Sequence, residues 1–366
     1  MSPPQTRTHE DSRIEQSICS RIAIVIKYLT AITSREGIIY SIIYLYKLAP
    51  HIKQLSSWML YVYSVSDRDD KLHNINLAIK PLSSYAVYGL PVSKRISFLQ
   101  SHFNYITRCA PFLLEVSRSE AELELGCLHG KRGETYRLTL EPAGYCGKEG
   151  ELSLTLSDGA DGLEFAKLTC LFIQDDEGGP VLLIGGLQGP SSHCGPDAKA
   201  RIVAATRSLS GLRPKMAVFL TACALARSLG ADSMLAVSNK THSINADAWW
   251  QRRKMRADYD AFWSERGGTP HALGFRLSTT SPPRSQCERR NEHRKQIESS
   301  VDRLFRHSPQ WRKPGDERVS ESQMNGEFKA GSPTVDHSPS VDRTRSFGQE
   351  VELSWSPTPS SRRWRQ

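Results

Sequence analysis

Three short segments of the chain gather the residue types that handle anions and protons. They are Gly185-Gly-Leu-Gln-Gly-Pro190, Gly211-Leu-Arg-Pro-Lys215 and Ser238-Asn-Lys-Thr-His-Ser243. Gly211 and Pro214 read as a helix start, because proline at the first helical position gives up no hydrogen bond that the helix needs. Arg213 and Lys215 then stand beside unpaired backbone donors and the positive end of the helix dipole, where an anion or phosphate is favoured. The plainer alternative, Arg213 paired with an internal carboxylate and Lys215 solvated, stays open. Gln188 at the end of the first segment and Asn239 in the third are candidate ligand contacts. His242 is the candidate acid or base, since imidazole titrates near neutrality. The alternatives are a loop histidine bonded to backbone and an asparagine that merely ends a strand.

These segments need a rigid frame, and the pattern supplies one. Tyr136–Leu140 and Leu152–Leu156 alternate as strands do. Lys167–Ile173 and Pro180–Leu187 flank the acidic, glycine-ended turn Asp175-Asp-Glu-Gly-Gly179 and read as a hairpin. A strand is also expected at Phe112–Val116. A long helix follows over Pro214–Leu229; it is apolar on nearly every side and therefore buried. Then come a strand at Ser233–Val237, a short helix at Tyr259–Arg266 capped by Asp258 and closed at Gly267, and a last strand through Leu273–Leu277. In open α/β sheets, ligands sit beyond the carboxyl ends of strands, which is where Asn239 and His242 fall.

Residues 12 to about 110 are rich in Ile, Leu and Tyr, with few glycines, and are expected to form packed helices broken at Pro50, Pro81 and Pro91. Residues 281–366 hold 11 Ile, Leu, Val or Phe against 15 Ser and 8 Pro. That is too little apolar surface to offset the entropy of ordering, so a largely disordered, low-complexity tail is expected. Within it, Gln286–Phe305 could form a transient charged helix. The expected division is a mainly helical region at 1–110, an α/β domain at 111–280 and the tail at 281–366.

The chain has 366 residues with 48 Lys or Arg against 39 Asp or Glu, a formal +9. The tail carries 16 basic and 12 acidic residues; removing its +4 leaves the rest at only +5. A mild positive balance favours a small anionic partner but gives no strong nucleic-acid signal. Trp249, Trp250, Tyr259, Phe262 and Trp263 lie among Arg252, Arg253, Lys254 and Arg256; such mixtures can stack bases, but helical spacing makes the last three aromatics one buried face. None of the 8 cysteines forms a Cys-x-x-Cys pair, so neither a zinc site nor a disulfide scaffold is expected. No Walker loop, Gly-x-Ser-x-Gly elbow or His-Glu-x-x-His motif stands in its required context. The polar opening residues and the charges interrupting the apolar stretches Gly37–Tyr46 and Gln54–Ser66 suggest a cytoplasmic protein without a spanning segment. Ile22, Ile24, Val25 and Ile26 among Arg21, Lys27 and Arg35 leave room for contact with a membrane surface.

The runs Leu182-Leu-Ile-Gly-Gly-Leu-Gln-Gly189, Gly211-Leu-Arg-Pro-Lys215, Ala236-Val-Ser-Asn-Lys-Thr-His242 and Tyr259-Asp-Ala-Phe-Trp-Ser-Glu-Arg-Gly-Gly268 resemble the VirK/YbjX family of bacteria. Ser101-His-Phe103 is similar to the family's His-Tyr step, with Phe103 in place of tyrosine. The resemblance covers roughly residues 45–280. It implies a role in virulence or envelope defence and no established reaction, so the leading expectation is a regulatory or non-enzymatic factor. A more distant likeness is to the second half of a GNAT acetyltransferase domain. There Ser208-Leu-Ser-Gly-Leu-Arg213 corresponds to the pyrophosphate loop, and Trp263 stands where many such enzymes carry a tyrosine acid. This likeness implies a GNAT-like mixed sheet. It also implies an alternative function, acyl or aminoacyl transfer from an anionic donor such as acyl-CoA, with His242 as base.

Overall fold

The computed structural model describes residues 6–65, 71–118, 122–175, 178–190, 197–246, 257–280 and 286–307, with side chains described from Cys19 onward except at 71–73 and 118. All of them lie in the first of the chain's two units, residues 1–317. The tail expected beyond residue 307, Cys194, and the Trp249–Arg256 cluster fall outside the described residues.

The N-terminal part is helical, as its composition requires. Helices α1 (Thr6–Glu36), α2 (Ile38–Leu48), α3 (Ile52–Val65) and α4 (Lys71–Ile79) precede α5 (Val92–Cys109). Pro50 and Pro81 sit in single 3-10 turns after α2 and α4, and Pro91 is the residue capping α5. Ile32, Leu48, Leu55, Trp58, Met59 and Val62 bury the seams between these helices. Trp58 Nε1 donates to the Leu77 carbonyl at 3.1 Å, which gives the buried indole its partner.

Phe112–Val116 corrects the expectation of a strand: it belongs to helix α6 (Pro111–Arg118). A short apolar run does not by itself distinguish strand from helix. Pro111 presets a helical φ at the first position, and Leu113 and Val116, three apart, are both buried.

The rest is a mixed sheet of eight strands in the order β1-β2-β3-β4-β5-β6-β8-β7. These are β1 (Leu123–His129), β2 (Thr135–Pro142), β3 (Leu152–Asp158), β4 (Glu164–Gln174), β5 (Pro180–Gln188), β6 (Ser233–Ala236), β7 (Thr269–His271) and β8 (Gly274–Ser278). Strands β1 to β5 form an antiparallel meander. The sole parallel pair among the described strands is β5–β6, in register from Val181↔Ser233 to Ile184↔Ala236. Two helices fill that crossover, α7 (Ala198–Ser208) and α8 (Pro214–Ser228). A parallel pair demands such a connection, because a tight turn can join only antiparallel neighbours. Helix α8 is buried on nearly every side and lies across β3, β4, β5 and β6. Helix α9 (Tyr259–Ser264) starts at Asp258, whose Oδ1 accepts from Ala261 N–H at 3.1 Å.

Residues 288–307 are also a correction. The segment read as a transient charged helix is the packed helix α10 (Glu288–His307), set against α8 and β1. Ile297, Val301 and Phe305, spaced by four, are all buried, and Phe305 meets Phe112 edge-on with ring centroids 5.5 Å apart. Averaging composition over the whole tail hid this single apolar stripe.

Candidate functional site

The parallel strands β5 and β6 part company after Ala236. Val237 N–H still donates to the Ile184 carbonyl at 3.0 Å. Then the chain turns away over Ser238–Thr241, a turn held by the Ser238 hydroxyl, which accepts from Lys240 N–H at 3.2 Å and Thr241 N–H at 3.1 Å. β5 continues to Gln188 without that partner. The result is a fork at the carboxyl ends of two parallel strands, the usual position for a ligand in such sheets.

Glu149, from the β2–β3 connection, lies in this fork. The Gly185-Gly186 doublet admits it: a Cβ on Gly185 would overlap the Glu149 carbonyl, and one on Gly186 would overlap its carboxylate. A side chain at Gly185 would push back the Glu149 backbone, and one at Gly186 would push aside its carboxylate. Gly186→Ala is therefore expected to cost about 1–3 kcal/mol of stability and to weaken any ligand that depends on Glu149, measurable by urea unfolding.

Gln188 Nε2 donates to both Glu149 carboxylate oxygens, at 3.0 and 3.1 Å. On the other side, His242 Nε2 stands 3.6 Å from Glu149 Oε1. Ile244 N–H donates to His242 Nδ1 at 3.1 Å, so the neutral ring carries its proton on Nε2, facing the carboxylate. The Tyr259 hydroxyl is 3.4 Å from the same Nε2 and accepts from Leu187 N–H at 3.1 Å. Glu149 is 8% exposed and His242 4%. Burial pushes the Glu149 carboxyl up to about 7, with the Gln188 amide pulling the other way. Burial, and after it the charge of Glu149, holds the Tyr259 phenol protonated far above its ordinary range. A carboxyl poised near neutrality against an imidazole can take and return a proton.

The segment between α4 and α5 braces this group. Tyr85 to Val87 makes a tight turn around Ala86, whose φ is +56°. Ala86 N–H donates to the Lys148 carbonyl at 2.8 Å, Val87 bridges to His242, and Tyr88 N–H donates to the Thr241 carbonyl at 2.7 Å. The Tyr85 hydroxyl reaches Glu151 Oε1 at 2.6 Å, and Lys80 pairs with the same oxygen at 2.5 Å. The helical part is thus bonded to both the Glu149 and the His242 sides of the fork.

The structure brings Gln188 and His242 together around Glu149 and sets Lys215 beside Gly189, the residue after Gln188, its Cε 3.8 Å from where a Gly189 Cβ would stand. Burial lowers the Lys215 ammonium pKa. Gly211 and Arg213 lie apart: the Arg290 guanidinium of α10 fills the space over Gly211, with its Nε donating to the Ser210 carbonyl at 3.0 Å, and Arg213 is exposed. Asn239 serves as a bracket, donating from Nδ2 to Asp258 Oδ1 at 2.9 Å and accepting from Tyr259 N–H at 2.8 Å. It fastens the start of α9 to the end of β6 and so places Tyr259. Trp263 Nε1 donates to the Val237 carbonyl at 2.8 Å, an anchoring bond; the hydroxyl near the imidazole comes from Tyr259 instead. Glu149 was missed in the sequence, although a glycine doublet inside an apolar strand signals that another chain approaches closely. No group of three His, Cys, Asp or Glu among the described residues could hold a metal ion. A separate cavity of about 330 Å³ lies between α5 and the sheet, lined by Lys94, Phe98, Leu235, His271 and Arg276 among others, and none of the fork residues borders it.

Fold and site together define a mixed α/β protein with a helical N-terminal part and a buried Glu–His pair at a strand fork. The chain belongs to the family described as "Protein of unknown function (DUF535)", whose model matches residues 36–299. It is 32% identical over 235 residues to the "Uncharacterized protein YbjX" of Escherichia coli (strain K12), a match covering 61% of this chain and 70% of that protein. Among solved structures it is similar to a cAMP-binding acyltransferase from Mycobacterium smegmatis at 11% identity and a TM-score of 0.24, over 58% of this chain and 60% of that one. A superposition that loose supports no conclusion about fold or activity. No described helix is long and apolar enough to cross a membrane.

Proposed function

We propose that the fork between β5 and β6 is the active site of a group-transfer enzyme, an acyl or aminoacyl transferase, with the Glu149–His242 pair as its proton acceptor and Gln188 and Tyr259 holding that pair in place. The observation carrying this reading is the buried carboxyl facing an imidazole nitrogen at 3.6 Å at the open end of a parallel strand pair. In the proposed step an amine attacks the acyl carbonyl of a thioester. The C–N bond forms, the C–S bond breaks, the amine's proton passes to the Glu149–His242 pair, and the pair returns it to the departing thiolate. Lys215, beside Gly189 and one residue into α8, is the cation for an anionic donor such as acyl-CoA. Such chemistry would serve the envelope role that the family resemblance implies.

A second reading has its own support. Glu149 and His242 are almost wholly buried, and His242 and Lys148, the residue before Glu149, are bonded to the Tyr85–Tyr88 segment, as a structural latch in a non-enzymatic, regulatory protein would be. Thermal unfolding with and without acyl-CoA separates the two. A true donor at 100 times its Kd adds about 2.7 kcal/mol. The transferase reading expects that gain in the wild type, its loss in Lys215→Ala, and binding without turnover in Glu149→Gln. If neither acyl-CoA nor aminoacyl-tRNA changes the melt, the latch reading stands and the transferase falls.

A further inference from the structure

The surface of α2 is unlike the rest of the described chain. Ile38, Ile39, Ile42, Ile43, Leu45 and Tyr46 are all exposed, Ile38 by 68%, Ile39 by 70% and Tyr46 by 82%. Exposed apolar residues scattered singly are ordinary, but six within nine positions of one helix are not. At 100° per residue these six side chains span about 160° of the helix circumference, and with Tyr40, which is also exposed, about 220°, Lys47 falling within that wider arc, while Ser41 and Leu48 face inward on the remainder. That width bears on what covers it. A protein partner takes a stripe of roughly 100° or a little more, whereas a hydrocarbon phase can enclose a protruding helix on all its free sides. Gly37, at φ +91°, lets the chain break between α1 and α2 so that α2 stands as a separate 11-residue rod. Lying flat, a rod of that length fits at a bilayer surface; it is far too short to cross one.

A second feature lies among α1, α3 and α5, where Lys53 follows α2 by five residues in the chain. A polar groove of about 370 Å³ is lined by Arg21, Lys53, Gln54, Ser57, Ser93 and Gln100, with Ile96. It contains two cations and no carboxylate, and Arg21 Nε is buried there without a hydrogen-bond partner among the described residues. Between Cys19 and Val65 the basic residues are Arg21, Lys27, Arg35, Lys47 and Lys53, against the single acid Glu36, which Arg35 pairs at 3.0 Å. Apolar residues for the acyl layer and an acid-free cationic groove match the chemistry of an anionic phospholipid surface.

We infer that this protein docks on anionic membranes, α2 lying in the interface with its isoleucines in the acyl layer and the Arg21–Lys53 groove holding a phosphate head group. The Ile22–Ile26 stretch contributes less than its sequence suggests, because Ile24 and Val25 are buried in the helical core and only Ile22 and Ile26 reach the surface.

The test is vesicle sedimentation of the full chain, with phosphatidylcholine vesicles and with vesicles containing about 30% phosphatidylglycerol, at low and high salt. The wild type is expected to partition at least about 10-fold better onto the anionic vesicles, and less well as salt rises. Ile39→Glu with Ile42→Glu should lower binding by about 100-fold while leaving the melting temperature unchanged, because both side chains are exposed. Arg21→Gln with Lys53→Gln should remove the preference for anionic lipid yet keep the apolar contribution. The inference is overturned if the wild type stays in the supernatant, if the α2 variant binds as well as the wild type, or if size-exclusion chromatography shows α2 buried in a dimer that the same variant dissociates.

Discussion

A chain ending at Thr280 is expected to lose its cooperative unfolding transition. Helix α10 goes with that truncation, and with it the burial of Ile297, Val301 and Phe305. Each large apolar side chain taken out of water contributes about 1.5–3 kcal/mol, so the three together supply roughly 5–9 kcal/mol. The loss extends to their neighbours. Phe112 loses its ring partner, Arg227 loses Glu298 at 3.1 Å, and the face of α8 under α10 meets water. A domain is typically stable by only about 5–15 kcal/mol, so this single helix accounts for a large part of the total. Phe305→Ala in the full chain is the milder form and should cost about 3–5 kcal/mol. A chain ending at His307 is the control that keeps every described contact. Thermal unfolding of the three proteins decides it: a 1–280 chain melting within about 2 °C of the control would show that α10 adds nothing.

The second expectation concerns two buried groups with opposite pH dependence. Glu149 titrates at about 7 in the fold against 4.5 in an open chain, because burial penalises its charge. Between those values the folded state holds the extra proton, so stability falls as pH rises, by about 3 kcal/mol in all. His102 behaves in the reverse sense. It is fully buried, its Nδ1 accepts from Phe172 N–H at 3.1 Å, and burial lowers its pKa from 6.5 to about 4, with Glu151 opposing and Lys80 assisting. Here the unfolded chain holds the extra proton between pH 4 and 6.5, so stability rises with pH there, again by about 3 kcal/mol. In the wild type the two slopes nearly cancel from pH 4.5 to 6.5. Each variant exposes the other group. Glu149→Gln should gain about 3 kcal/mol of stability between pH 4 and 6.5, and at pH 8 should exceed the wild type by a similar amount. His102→Asn, which keeps an acceptor for Phe172 N–H, should lose about 3 kcal/mol between pH 4.5 and 7. Urea unfolding at half-unit pH steps measures both; profiles parallel to the wild type would mean that neither group is held as its burial demands.

Much of the scaffold was readable beforehand because it depends on local rules. Alternation placed β3, the acidic glycine turn joined β4 to β5, Pro214 opened α8 and Asp258 capped α9. Each of these signals lies within a few residues of the element it specifies. The error at Phe112–Val116 was local too, since five apolar residues suit either secondary structure until Pro111 is weighed. At the site, Gln188 and His242 were visible as polar residues at strand ends. What made them a group was not: Glu149 enters from a connection far away in the chain, and nothing around it has the spacing of a motif.

By its order of residues alone, this protein is committed to a helical beginning, a mixed sheet and a buried helix leading from a glycine-proline start, because backbone geometry and apolar period act over a few positions. Tertiary structure alone decided three further matters: that Glu149 meets His242, that Arg290 covers Gly211, and that α2 keeps its isoleucines in the open. Each joins or leaves unjoined residues distant in the chain, and which of them meet depends on how the elements pack, a choice made by the summed burial of the whole core rather than by any short stretch of it.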